Sequence, residues 1–145
     1  ALETCGQFDF DSLRPVLQKM DLIFMDLKHP DSEAHRRFTG VGNETILQNL
    51  QKTAALDIPL VVRIPMITGV NTDASTLHKA FAFISTSCPG AQLELLPYHR
   101  YGETKYDALG LPRPSAAFAA PTKAQLSGWE QLAAQEYGIK VTSYK

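Results

Sequence analysis

The sequence predicts an α/β fold in which a parallel sheet alternates with helices along the chain. Two observations carry this. Apolar runs of strand length (Leu22–Leu27, Leu60–Ile64 and Gln92–Pro97) are separated by stretches whose apolar residues recur at helical spacing. Each run also ends in ionisable or hydrogen-bonding groups, and parallel α/β folds bind their ligands at the carboxyl ends of strands. An open doubly wound sheet and part of a barrel both satisfy this order. With 145 residues, 44% hydrophobic and 20% charged, the chain suits a single domain (1–145) with a buried core.

Taken in order, Ala1–Thr4 reads as the end of a strand closed by Gly6, so the sequence reads as a piece of a longer chain. Asp9–Met20 places Leu13, Val16, Leu17 and Met20 on one helical face, and Pro15 predicts a helix start near Leu13 or Arg14. Leu22–Leu27 is the next strand. Pro30 and Asp31 open a helix over Ser32–Phe38 that ends at Gly40, and Asn43 is the expected N-cap of a helix over Glu44–Leu56. Leu60–Ile64 is a strand ended by Pro65 and Gly69. Asp73 caps a helix that runs to about Thr86, with Leu77, Ala80, Phe81 and Ile84 inward, and Gln92–Pro97 is a further strand. Residues 1–97 thus form β/α units, and 98–121, rich in proline and glycine, an irregular loop. Residues 122–145 form a final helix, Thr122–Tyr137, stopped by Gly138, and a short strand, Ile139–Tyr144.

Composition narrows the function. A formal net charge of −1 argues against nucleic-acid or anionic-membrane binding. No apolar run approaches the roughly 20 residues of a membrane helix, and no signal peptide is visible. Two cysteines, Cys5 and Cys88, imply no disulfide framework and favour a reducing cytoplasm.

The strand ends supply the candidate site. The first strand ends in Glu3 and Thr4, the second in Asp26 and Lys28, two apart and so on one face. The third carries Arg63, and the fourth ends in Pro97-Tyr98-His99. Each has an ordinary structural explanation alone: a turn cap for Asp26, a solvated lysine, a structural histidine. Arg63 is harder to explain so, because an unpaired charge in the apolar strand Leu60–Ile64 would cost several kcal/mol. It requires an anion, from Asp26, Glu3 or a ligand carboxylate. Glu94 reads as solvated or paired across an edge, and His29, His35 and His78 as surface groups.

These segments together resemble the glycyl-radical-enzyme activases, the radical S-adenosylmethionine family of the pyruvate formate-lyase activating enzyme. The matching stretches are Leu2-Glu3-Thr4-Cys5-Gly6, Met25-Asp26-Leu27-Lys28-His29, Thr39-Gly40 with Asn43, Arg63-Ile64-Pro65 with Gly69-Val70-Asn71, and Leu95–Gly102 with Lys105-Tyr106. The resemblance covers the chain in order and implies the C-terminal part of a radical S-adenosylmethionine barrel, beginning at the end of its third strand. It implies an oxidoreductase that reductively cleaves S-adenosylmethionine at a [4Fe–4S] cluster and places a glycyl radical on a partner such as pyruvate formate-lyase. The family's cluster motif, C-x₃-C-x₂-C, is absent, so the cluster ligands lie outside this sequence and the fragment alone should be inactive.

By the same resemblance, Asp26 and His99 match positions that hydrogen-bond the cofactor ribose. Lys28 matches one near its methionine carboxylate, and Arg63 another polar contact to the cofactor. Glu3 and Thr4, with Asp26, match positions around a monovalent cation; glutamate stands at a position more often aspartate. The implied partners are a glycyl radical enzyme and an electron donor such as flavodoxin or ferredoxin, in an anaerobic cytoplasm, with the segment Arg100–Tyr106 shaping the entry for the partner's glycine loop. Two other readings stay open. Asp26-x-Lys28-x-x-Asp31 matches the D-x-K-x-x-D array of a barrel decarboxylase, although no phosphate-gripping loop follows the strand Gln92–Pro97. The chain would alternatively be a non-catalytic α/β binding domain, whose uncovered sheet edge favours a dimer.

Overall fold

The computed structural model describes residues 1–112 and 118–144. In chain order they form β1 (Leu2–Thr4), α1 (Phe10–Leu17), β2 (Ile23–Asp26), α2 (Ser32–Thr39), α3 (Glu44–Ala54), β3 (Leu60–Met66), α4 (Ala74–Ser87), β4 (Gln92–Pro97), α5 (Glu103–Ala108), α6 (Lys123–Tyr137) and β5 (Lys140–Val141). The strands make one five-stranded sheet in the order β1-β2-β3-β4-β5, and every pairing is parallel. Sequential parallel neighbours joined by right-handed crossovers put their helices on one face.

Alternation along the strands divides the two faces. Ile23, Met25 and Leu27, Leu60, Val62, Ile64 and Met66, and Leu93 and Leu95 point to the helices. There they meet Phe10 and Leu17 of α1, Ile46 and Leu50 of α3, Leu77, Ala80, Phe81 and Ile84 of α4, and Ala133 of α6. The opposite face carries Glu3, Phe24, Asp26, Val61, Arg63 and Glu94. This second face positions the site.

Several predicted boundaries move, each for a local reason. Helix α1 begins at Phe10, not near Leu13. Asp9 caps it, accepting from the backbone N–H of Asp11 at 3.0 Å and Ser12 at 3.5 Å, and Pro15 lies inside. The carbonyl that Pro15 leaves without a helical partner belongs to Asp11, which is exposed and solvated. Strand β3 runs on through Pro65 to Met66. The Asp26–Arg63 pair is the last of the β2–β3 register, so the missing N–H of Pro65 faces a side where β2 has already ended. The segment after β4 contains helix α5 and returns to the sheet, where Thr68 N–H donates to the Ala119 carbonyl at 2.9 Å. Residues 113–117 of that segment, read as irregular loop, lie outside the described residues. The terminal strand is only Lys140–Val141, paired with Gln92 and Leu93. Beyond it Tyr144 turns onto the second face of the sheet, against Phe24.

Candidate functional site

Asp26 closes β2 and is the register partner of Arg63 on β3, whose partner on β4 is Glu94. The three therefore stand side by side. Lys28, two residues beyond Asp26 on the same side, brings its ammonium to 3.7 Å from the Asp26 carboxylate. Burial raises the Asp26 pKa above the ordinary carboxylate value, and the positive charges of Lys28 and Arg63 pull it only part of the way back.

Arg63 finds protein anions. Its Nε donates to Glu94 Oε2 at 2.8 Å and its Nη1 lies 2.8 Å from Glu3 Oε1. The guanidinium lies over the Phe24 ring, 3.8 Å from the centroid, a cation–π contact. Glu3 is the register partner of Phe24, so the side chain leans towards the strand starts, one pleat below Asp26. Burial acts to lower the guanidinium pKa, but the hydrogen bonds and charges of Glu3 and Glu94 more than offset it and hold it above its ordinary value. Glu94, read as solvated or edge-paired, is in fact buried at 3% exposure in the middle of the sheet.

The other candidates are placed unevenly. Glu3 is engaged by Arg63, and its side chain remains 70% exposed. Thr4 points to the other face, and its hydroxyl accepts from the Gly6 N–H at 3.1 Å. Among the described residues, no group of three or more histidine, cysteine, aspartate and glutamate side chains is arranged to hold a metal ion. His99 follows β4 at the same end of the sheet and stacks on Tyr101 with centroids 4.4 Å apart. No hydrogen bond or ion pair among the described residues ties it to Asp26, Lys28 or Arg63. Asp31 spends its carboxylate as the N-cap of α2, accepting from Ala34 N–H at 2.9 Å.

Sequence reasoning missed what holds the rim together. Asn71 donates through Nδ2 to the carbonyls of Lys28 at 2.9 Å and Pro65 at 2.7 Å, and its Oδ1 accepts from Ile67 N–H at 2.9 Å. One buried amide thus staples the loop after β2 to the end of β3. Asn43 precedes α3 as expected but makes no side-chain cap; its Nδ2 donates to the His29 carbonyl at 2.8 Å. His29 and His35 are buried at 7% and 2% exposure, against the expectation of surface groups. His35 Nδ1 donates to the Val41 carbonyl at 2.7 Å, which folds the turn after α2 over the rim. Between α2 and the end of β3 a mostly apolar cavity of about 170 Å³ opens beside Lys28, lined by Phe38, Pro65, Ile67 and Val70. The only warning in the sequence was a second charge, Glu94, set between leucines as Arg63 is set between aliphatics.

Neither cysteine helps to form a cluster site. Cys5 is exposed, Cys88 is buried with its thiol pushed up to about 11 by desolvation, and both are free. The residues present here do not fit an iron–sulfur cluster.

No protein-family model matches the chain. Among curated proteins it is 40% identical over 113 residues to the (2S)-3-sulfopropanediol dehydratase activating enzyme of Klebsiella oxytoca, covering 77% of this chain and 36% of that protein. It is 34% identical over 143 residues to the isethionate sulfite-lyase activating enzyme of Desulfovibrio desulfuricans, covering 97% of this chain and 45% of that protein. The chain spans less than half the length of these relatives. Among solved structures it resembles a domain of pyruvate-formate lyase-activating enzyme from Bacteroides vulgatus, with a TM-score of 0.78 and 27% identity over 99% of this chain and 79% of the other.

Proposed function

We propose, for a chain whose homologues are the glycyl-radical-enzyme activating enzymes, that it forms the C-terminal part of such an enzyme's barrel and supplies one side of its S-adenosylmethionine site. The observation that carries this is the paired Asp26 and Lys28 at the end of β2, in register with Arg63, on the face free of helices. The donor set suits the ligand. A carboxylate accepts from a ribose diol, and an ammonium answers an amino-acid carboxylate. Asp26 is to hold the ribose together with His99, Lys28 the methionine carboxylate, and Arg63 a further polar contact. Glu3, Thr4 and Asp26 are to flank a monovalent cation.

S-adenosylmethionine, held by Asp26, Lys28, Arg63 and His99, would supply the hydrogen-abstracting chemistry in the longer protein. The cluster and its ligands belong to sequence outside these 145 residues, so this chain's part is to bind, orient and shield. Asn71 and the turn at His35 fix the height of the rim. The segment Arg100–Tyr106 is to border the entry of the partner's glycine loop. The partner is a glycyl radical enzyme, the electron donor a flavodoxin or ferredoxin, and the setting an anaerobic cytoplasm. Among the described residues no helix is long and apolar enough to cross a membrane.

The test is calorimetric titration of S-adenosylmethionine into this chain and into the longer, cluster-reconstituted protein. Clear binding is expected only in the latter. There, Asp26→Asn and Lys28→Ala should each weaken affinity about tenfold or more, the equivalent of one charge-assisted hydrogen bond. Unchanged affinity in both variants would remove the assignment.

A further inference from the structure

A carboxylate buried within a sheet needs a donor on each oxygen. Glu94 meets this in an unusual way. Oε2 takes the Arg63 Nε at 2.8 Å, and Oε1 takes the backbone N–H of Tyr144 at 2.6 Å, fifty residues further along the chain. The Tyr144 ring then stands edge-on to Phe24, with centroids 5.0 Å apart and planes at 88°. Phe24 in turn carries the Arg63 guanidinium on its face, 3.8 Å from the centroid. The four groups close a ring: carboxylate, guanidinium, aromatic face and returning C-terminal segment.

Each contact removes one freedom of Arg63. The Nε bond fixes the rotation about the end of the side chain, the phenyl face fixes the guanidinium plane, and Tyr144 keeps Glu94 and Phe24 from turning away. The extension of β5 makes this possible, since Thr142 N–H donates to the Leu93 carbonyl at 2.9 Å and carries the pairing with β4 one rung further. We propose that Glu94 is a positioning residue for Arg63, and that the Tyr144 backbone amide and ring lock it, so that the C-terminal segment sets the direction of the guanidinium beneath the Asp26–Lys28 rim. The inference rests on the reading of Arg63 as a cofactor-side residue only for its consequence in binding; the clamp itself stands on the contacts.

The test reads the two separately. In ¹⁵N-labelled protein the Arg63 Nε–H gives its own resonance, and a clamped Nε–H exchanges slowly with solvent. Glu94→Gln should speed that exchange about tenfold or more, the loss of one charge-assisted hydrogen bond. Tyr144→Pro, which removes the amide hydrogen and the ring without touching a charge, should do the same in part. Tyr144→Phe should leave exchange as in the parent. Exchange unchanged in both Glu94→Gln and Tyr144→Pro, with the fold intact by circular dichroism, overturns the proposal. In the cluster-loaded longer protein, Glu94→Gln should weaken S-adenosylmethionine binding, and should do so no further once Arg63 is already glutamine. An equal, additive loss in the double variant also overturns it. If Arg63→Gln leaves affinity untouched while exchange responds as expected, the clamp is upheld and the cofactor role of Arg63 fails instead.

Discussion

Gly6→Ala is the sharpest test of how the core sets the rim. Gly6 closes the turn after β1 with φ +79°, a conformation that costs an alanine about 1–2 kcal/mol. A Cβ there would also lie 3.1 Å from Met25 Sδ, 3.2 Å from Ile46 Cγ2 and 3.3 Å from Met25 Cγ. Met25 is fully buried and Ile46 nearly so, and a β-branched side chain on α3 yields little, so about 1 kcal/mol or more of overpacking is added. The lower entropy of the unfolded alanine chain returns about 0.5–1 kcal/mol. The net is a destabilisation of about 1–2.5 kcal/mol or more. Two controls separate the contributions. Gly40→Ala, at φ +89° with nothing within 4 Å of the new Cβ, carries the backbone cost alone and should lose about 1 kcal/mol. Gly128→Ala, inside α6 with open space around it, should gain about 0.5–1 kcal/mol. Urea denaturation of the chain measures all three from midpoint shifts at constant slope. If Gly6→Ala costs no more than Gly40→Ala, the packing of β1 against Met25 and Ile46 is not what fixes Glu3 and Thr4.

Asn71→Ala should cost about 2–4 kcal/mol, since it strands the carbonyls of Lys28 and Pro65 and the N–H of Ile67, and amide exchange at Ile67 should rise with it; protection retained there would refute the staple. Asp26, with its folded pKa raised by burial, makes a stability contribution that is complete below its unfolded pKa and is lost as pH rises through the folded value. Relative to Asp26→Asn, the parent should therefore lose stability as pH rises from the ordinary carboxylate range through the raised folded value, and a difference that is flat or rises with pH would contradict the burial. With a thiol reagent near pH 8, Cys5 should react at once and Cys88, buried with a thiol at about 11, only after unfolding. Rapid labelling of both in the native chain would contradict the packing of α4.

The alternation of strands and helices was legible because it is local. An apolar run in Leu60–Ile64 marks a strand, and a period near 3.6 in Glu44–Leu56 says which residues of a helix share one face. The end of the sheet that carries polar groups was legible for the same reason, since strand ends are where Asp26, Lys28 and His99 fall. Local signals misled where a tertiary partner absorbed their cost. Pro65 stays within β3 because its missing N–H faces the side where β2 has ended. Asn43 leaves the helix uncapped because the His29 carbonyl needs a donor. His35 goes inward with its Nδ1–H on the Val41 carbonyl, while its Nε2 is buried without a partner among the described residues.

By itself, then, the sequence determined the order of the strands and long helices and the end of the sheet where Asp26, Lys28 and His99 fall, which follow from the short-range geometry of the backbone. Only the tertiary structure decided what each charge faces. Arg63 meets Glu94 and Glu3, and Tyr144 returns to lock Glu94, because parallel register sets residues from distant parts of the chain side by side. That register is fixed by the packing of whole helices on the far side of the sheet, and no window of neighbouring residues contains it.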